Sequence, residues 1–402
     1  MSGDSSPQPL NICHVITRLI IGGAQENTVL TCRGLHGKGH RVTLIAGPET
    51  GPEGSLWDDA RAIGCELITL DSLRRAVRPI GDLRARRELR GLFGRIGPDV
   101  VHAHSSKAGI VGRSAAAAAG VRAIVHTIHG MSFNRTQRWW TRAIYRMAER
   151  RAAKYTDGFI TVADAMIEQA VAAGIAGRER FVTIRSGLET ERFAASGEAR
   201  RRWRREWGVG DDEVVVGTIA RLFENKGYEE IIAAMPSATA REHGLRFVWI
   251  GDGARRAHYE RELARIGMRG RVTLAGLVRP EQAASMINGF DILLHASRWE
   301  GLPRAVVQGL LTEVPAISFD NDGAPEVVLP DRTGILVRLG DVDGLSRAIA
   351  ALAADGPRRW RLGRGGREHC LKAYDWRRMV DEIELLYRRL AARPDKSGDD
   401  RS

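Results

Sequence analysis

Glu300 and Gln308 stand eight positions apart in Ser297-Arg-Trp-Glu-Gly-Leu-Pro-Arg-Ala-Val-Val-Gln. The apolar spacing predicts a strand (Asp291-Ile-Leu-Leu-His), a turn carrying Gly301 and Pro303, a helix, and a second strand at Val314–Ser318. Such a junction aims backbone N–H groups and the positive end of a helix at whatever sits above it, which suits a phosphate. Glu300 lies on the loop, where a substrate hydroxyl can reach it. Gln308 lies two helical turns deeper on roughly the same face. An ordinary strand–turn–helix with a surface Glu is the plain alternative.

A second segment, Gly217-Thr-Ile-Ala-Arg-Leu-Phe-Glu-Asn-Lys-Gly-Tyr, places Arg221 and Lys226 on one loop between a strand and a helix opened by Gly227. Two cations there can clamp a diphosphate, Arg as a planar fork and Lys as a mobile point charge. In so basic a chain the alternative is a pair of solvent-facing cations. Gly22 and Gly23 follow the first strand and let backbone approach a bound group beside a helix N-terminus. They do not form a G-x-G-x-x-G fingerprint, so a dinucleotide dehydrogenase gains nothing from them. Ile250-Gly-Asp-Gly and Leu274-Ala-Gly-Leu read as plain turns. His102 and His104 share one face of a strand, with no third ligand in sight, which argues against a metal. His126 falls inside a strand pattern and reads as a packed histidine. The triplets Asp320-Asn-Asp322 and Asp341-Val-Asp343 read as turn and helix-capping residues, and no metal is assigned.

Taken together, these segments resemble the family-4 retaining glycosyltransferases of bacterial cell-surface and exopolysaccharide type. The likeness runs from the first strand–helix turn to Tyr374-Asp-Trp. It implies an α/β chain of GT-B fold: two Rossmann-like doubly wound domains facing across a cleft, the second holding most of the donor. By the same resemblance Arg221 and Lys226 stabilise the departing diphosphate, Glu300 holds sugar hydroxyls and His129 reaches the sugar ring. Gly22 and Gly23 line the site near diphosphate and acceptor. Gly251, Gly276, Gly301, Leu302 and Pro303 shape the donor pocket, and Gln308 binds the ribose. The family carries Glu where this chain has Gln308, the one departure. The implied reaction moves a sugar, with retention, from a nucleotide diphosphate, in the first instance UDP, to a hydroxyl of a lipid-linked or cell-surface glycan precursor. No metal or cofactor is implied. A GT-B nucleotide-sugar epimerase, or a weakly active nucleotide-sugar-binding regulator suggested by Gln308, are the rivals.

Strands and helices alternate throughout the 402 residues, which have room for two cores. The reading places a first domain at 1–191, a charged linker at 192–212, a second domain at 213–375 and a returning helix with a loose tail at 376–402. Met1–Pro9 and Pro394–Ser402 are polar enough to be loose. Four scattered cysteines read as small buried hydrophobes in a reducing compartment, and no run suits a signal or membrane span, so a cytoplasmic protein is expected. The net charge of +12 admits nucleic acid, an anionic membrane surface or phosphorylated substrates as partners. Nucleic acid fits poorly, for no base-stacking aromatics interleave the basic residues and no nucleic-acid-binding motif occurs. Two stretches concentrate the charge, Arg74–Arg95 and Asn134–Lys154. The second mixes Trp139, Trp140 and Tyr145 with arginines at helical spacing. That suits a helix lying on anionic headgroups, or equally a solvated helix whose aromatics pack inward.

Overall fold

The computed structural model describes residues 8–51, 54–133 and 137–393 and divides into two compact units. Unit 1 comprises Met1–Gly187 and Trp376–Ser402, and unit 2 comprises Leu188–Asp375. Except for Gln8 and Pro9, the ends expected to be loose lie outside the described residues.

Unit 1 is built on β1 (Asn11–Ile16), β2 (Arg41–Ala46), β3 (Glu66–Thr69), β4 (Val100–His104), β5 (Ala123–Ile128), β6 (Gly158–Thr161) and β7 (Phe181–Thr183). They form one sheet in the order β3-β2-β1-β4-β5-β6-β7, every pairing parallel. The order reverses between β1 and β4, where His14 is the register partner of His102. The central strands are buried at nearly every position, histidines included, because helices cover both faces of a parallel sheet. The helix Trp376–Ala391 supplies part of one cover. Its Met379, Val380, Ile383 and Leu386 share a core with Ile12, Leu44, Val100 and Val125.

Unit 2 repeats the scheme with β8 (Val214–Ile219), β9 (Leu245–Ile250), β10 (Val272–Gly276), β11 (Ile292–His295), β12 (Ala316–Asp320) and β13 (Gly334–Arg338), in the order β10-β9-β8-β11-β12-β13. Here the order reverses between β8 and β11. Val216, Tyr228, Trp249, Ile292, Leu294 and Ile349 centre its core. Each side chain of that size contributes about 1.5–3 kcal/mol on leaving water.

The segment 192–212, read from its charge as a linker, is instead part of unit 2. The helix Gly197–Glu206 is capped by Ser196, whose Oγ accepts from Ala199 N–H at 3.2 Å. Buried Trp203 donates from Nε1 to Ser285 Oγ at 2.9 Å, and Arg200 and Arg204 reach Asp291 at 2.6 and 2.8 Å. Its charge serves docking onto the start of β11 rather than solvation, which hid the helix from a composition-based reading.

Candidate active site

In a doubly wound sheet ligands bind beyond the carboxyl ends of the strands where the order reverses. In unit 2 those ends carry the loop after β8, with Arg221 and Lys226, and the loop after β11, with Glu300. The loops are bonded together: Arg298 N–H donates to Asn225 O at 2.9 Å, and Ser297 Oγ to the same oxygen at 3.2 Å. Gly227 makes this approach possible. Its φ is +75°, and a Cβ there would stand 1.8 Å from the carbonyl oxygen of Ala296.

The result is an ion pair, Lys226 Nζ to Glu300 Oε1 at 2.5 Å, with both side chains mostly buried. His295, at the end of β11, brings Nε2 within 3.2 Å of the same oxygen. Burial pushes the Glu300 carboxyl up, but Lys226 and His295 outweigh it and hold it far below the ordinary carboxylate range. The Glu300 N–H donates to Asp322 Oδ2 at 2.9 Å, and Gly323 N–H to Gly301 O at 3.2 Å. Asp322, with φ +47°, is thus the turn residue expected, and it pins the acid-bearing loop. Asp341 likewise caps its helix, accepting from Gly344 N–H at 2.8 Å. The bond to Asp322 was not legible in sequence, because it depends on two separate loops meeting, whereas His295 stands only five positions before Glu300 and reads in sequence simply as the end of a strand.

Gly251 N–H donates to Gly276 O at 2.8 Å, so these two expected site glycines meet. Gly251 has φ +133°, and a Cβ would fall 2.1 Å from Ala220 O, which seats this turn against the loop bearing Arg221. Arg221 is exposed, its guanidinium 4.9 Å from the Phe223 ring centre. Gly301, Leu302 and Pro303 are buried ahead of the helix Arg304–Leu311, on which Gln308 is half-buried.

In unit 1, Gly22 precedes the helix Gly23–Gly37 and accepts from Glu26 N–H at 2.9 Å. His129 follows β5 and its Nε2 lies 3.1 Å from His104 Nδ1. His126 is packed as expected, its Nδ1 2.9 Å from Ala103 O. The expectation that His102 and His104 lack a third neighbour does not hold. His14 on β1 joins them, and one ring nitrogen from each lies within 4.8 Å of the others. Strand pairing across 88 positions of sequence brings it there. Burial pushes His14 down to about 3 and holds His102, His104 and His126 well below the usual histidine range, so these rings are neutral.

The basic aromatic stretch forms the helix Trp139–Ala153. Trp139, Trp140, Ile144 and Met147 are exposed, by 79%, 46%, 54% and 66%, so the two tryptophans do not pack inward. Val77, Ile80 and Leu83, at the start of the other basic stretch, are also exposed. Among the described residues no helix is long and apolar enough to cross a membrane.

The family model "Glycosyl transferases group 1" matches residues 199–369, and "Glycosyl transferase 4-like domain" matches residues 22–187. An Escherichia coli UDP-Gal:alpha-D-GlcNAc-diphosphoundecaprenol alpha-1,3-galactosyltransferase is 25% identical over 391 residues, covering 95% of this chain and 98% of that protein. A GDP-mannose-dependent alpha-(1-6)-phosphatidylinositol monomannoside mannosyltransferase of Mycolicibacterium smegmatis is 29% identical, over 68% of this chain and 72% of that protein. Among solved structures, Anabaena Alr3699/HepE in complex with UDP and glucose superposes with a TM-score of 0.80 at 18% identity, covering 94% of this chain and 99% of that one. A glycosyltransferase from Rickettsia africae gives the same TM-score at 14% identity, over 96% and 100%. With one glycosyltransferase model matched to each of two parallel-sheet units, the chain belongs to the family-4 glycosyltransferases of GT-B fold and transfers a sugar from a nucleotide donor to an acceptor.

Proposed function

We propose that this enzyme transfers a sugar from a UDP-sugar, with retention and without a metal, to a lipid-linked glycan precursor. One observation carries the reading. At the strand-order reversal of unit 2, an ammonium and a carboxylate are held together on two loops tied through the Asn225 carbonyl. A departing diphosphate gathers negative charge, and a cation already in place stabilises it without reorganising during the reaction. Lys226 has that position, Arg221 adds a second cation, and Glu300 stays ionised to accept from sugar hydroxyls. The family resemblance assigns His129, in unit 1, to the donor sugar ring. The choice of UDP and of a lipid-linked acceptor is supported by the relative that matches 95% of the chain.

The test is a donor screen with UDP- and GDP-sugars, using a membrane lipid extract as acceptor and excess chelator present. Acceptor-dependent release of UDP is expected, with the product anomer, read by proton NMR, matching the donor. Isomerisation without acceptor would establish an epimerase, and binding without turnover a regulator.

The acceptor class gives the exposed helix a role. Trp139, Trp140, Ile144 and Met147 among arginines suit insertion at an anionic headgroup surface. Sedimentation with anionic vesicles should exceed that with neutral vesicles and weaken with salt. Equal recovery with both would return the helix to a solvated role.

A further inference from the structure

Three histidines, on β1, on β4 and just after β5 of unit 1, form one hydrogen-bonded row. His14 Nδ1 lies 2.9 Å from His104 Nε2, and His104 Nδ1 lies 3.1 Å from His129 Nε2. The rings stack along the row, at interplanar angles of 15° and 27°. His14 and His104 are fully buried. His102 stands beside the row but is engaged elsewhere, its nitrogens meeting the Tyr387 hydroxyl and, at 2.7 Å, Thr127 Oγ1. Of the nitrogens on His14, His102 and His104, only His14 Nε2 has no partner among the described residues.

Counting protons orients the row. A neutral imidazole carries one N–H, and each junction between rings needs one. If His14 carried its proton on Nε2, a buried N–H would have no acceptor. That defect is rarer and more costly than a bare lone pair in the same place. His14 therefore donates from Nδ1 to His104 Nε2, and His104 donates from Nδ1 to His129 Nε2. With Nε2 committed as an acceptor, His129 has only Nδ1 on which to hold a proton.

We propose that His14 and His104 are positioning residues that fix His129 as the Nδ1–H tautomer, so that it meets an oxygen of the donor as a hydrogen-bond donor. The proposal rests on the reading of His129 as a donor-side contact. It gives a functional reason for a row of buried histidines that apolar residues could otherwise fill.

The test uses the full chain labelled with ¹⁵N-histidine, without donor, and a long-range ¹H–¹⁵N correlation in which His129 is assigned by its loss in His129→Asn. Expected are a pyridine-like Nε2 and a pyrrole-like Nδ1 for His129. His104→Phe should release the lock, shifting His129 toward the Nε2–H form. It should also lower kcat/KM about ten-fold, the size of one hydrogen bond. His14→Asn should loosen the lock without removing it. A wild-type His129 protonated at Nε2 overturns the proposal even if no variant folds. An unchanged tautomer in folded His104→Phe also overturns it. So does stoichiometric zinc in the wild type, since the row would then be a metal site. Because the tautomer is read without ligand, the underlying reading fails separately: unchanged turnover in His129→Ala removes the donor contact and leaves the tautomer result standing.

Discussion

The two sheets reverse their strand order in the same way and arm the reversal differently. Between β8 and β11 the loops carry charge, a Lys226–Glu300 pair with Arg221 close in sequence. Between β1 and β4 the facing side chains are neutral imidazoles, stacked and fully buried. Parallel strands and helix N-termini supply the same frame in both. The side chains then decide whether that frame meets developing charge or sets the direction of a hydrogen bond. In unit 2 the carboxylate holds the ammonium in place before any ligand arrives. In unit 1 order comes from ring packing, which tolerates no charge.

The comparison breaks first at Lys226. Lys226→Ala is expected to lower turnover by ~10²–10³-fold, the scale for losing one preorganised charge-stabilising group, with Arg221→Ala acting in the same direction. Both lie on a loop, so far-ultraviolet dichroism should be unchanged. Near-normal kcat in both variants would move the diphosphate clamp elsewhere. Gly227→Ala attacks the frame rather than the charge. An Ala at φ +75° is strained, and its Cβ would collide with Ala296 O, so a stability loss of about 3 kcal/mol is expected in denaturant unfolding of unit 2. A loss below about 1 kcal/mol would show that the loop is not held where it is described.

Most of the frame was legible. Runs such as Val214–Ile219 are apolar but for Thr218 because both faces are covered, and they stand out by composition. The signal is weaker in β3 and β13, which are sheet edges. Glu66–Thr69 is nowhere fully buried, and Gly334–Arg338 is buried only at Gly334 and Val337. Edge positions relax the apolar requirement and with it the signal. The site divides on the same line. Glu300, Lys226 and the glycines were visible because they sit at short spacing on strand–helix turns. The place of His14 and the Asp322 bond were not, because the pairing of separate segments creates their contacts.

Both reversals should respond to acid, the buried neutral histidines of unit 1 below about pH 6.5 and the Glu300 pair of unit 2 below about pH 4.5. The Glu300 carboxyl is held below its ordinary value of 4.5 in the folded state, so unit 2 binds fewer protons there than its unfolded chain. The stability this contributes is whole above about pH 4.5 and is lost as pH falls through the folded-state value. Glu300→Gln should therefore flatten the decline of Tm between about pH 5 and about pH 3. An unaltered acid limb would assign that decline to other groups, the buried histidines of unit 1 among them.

The smallest expected effect concerns the one departure from the family. Gln308 is half-buried on the helix Arg304–Leu311, and the family resemblance assigns this position to the ribose. A carboxylate accepts charge-assisted hydrogen bonds from both ribose hydroxyls, whereas the amide offers one neutral oxygen and an NH₂ donor. Charge-assisted bonds are about twice as strong, so on that assignment Gln costs about 1 kcal/mol of donor binding. Desolvating a carboxylate on the same helix offsets part of what Glu would restore. Gln308→Glu is thus expected to tighten UDP by up to ~10-fold in calorimetry and to leave kcat nearly unchanged. A variant that gains transfer from an inert parent would instead make the native chain a nucleotide-sugar sensor, with the charged reversal built to bind rather than to react.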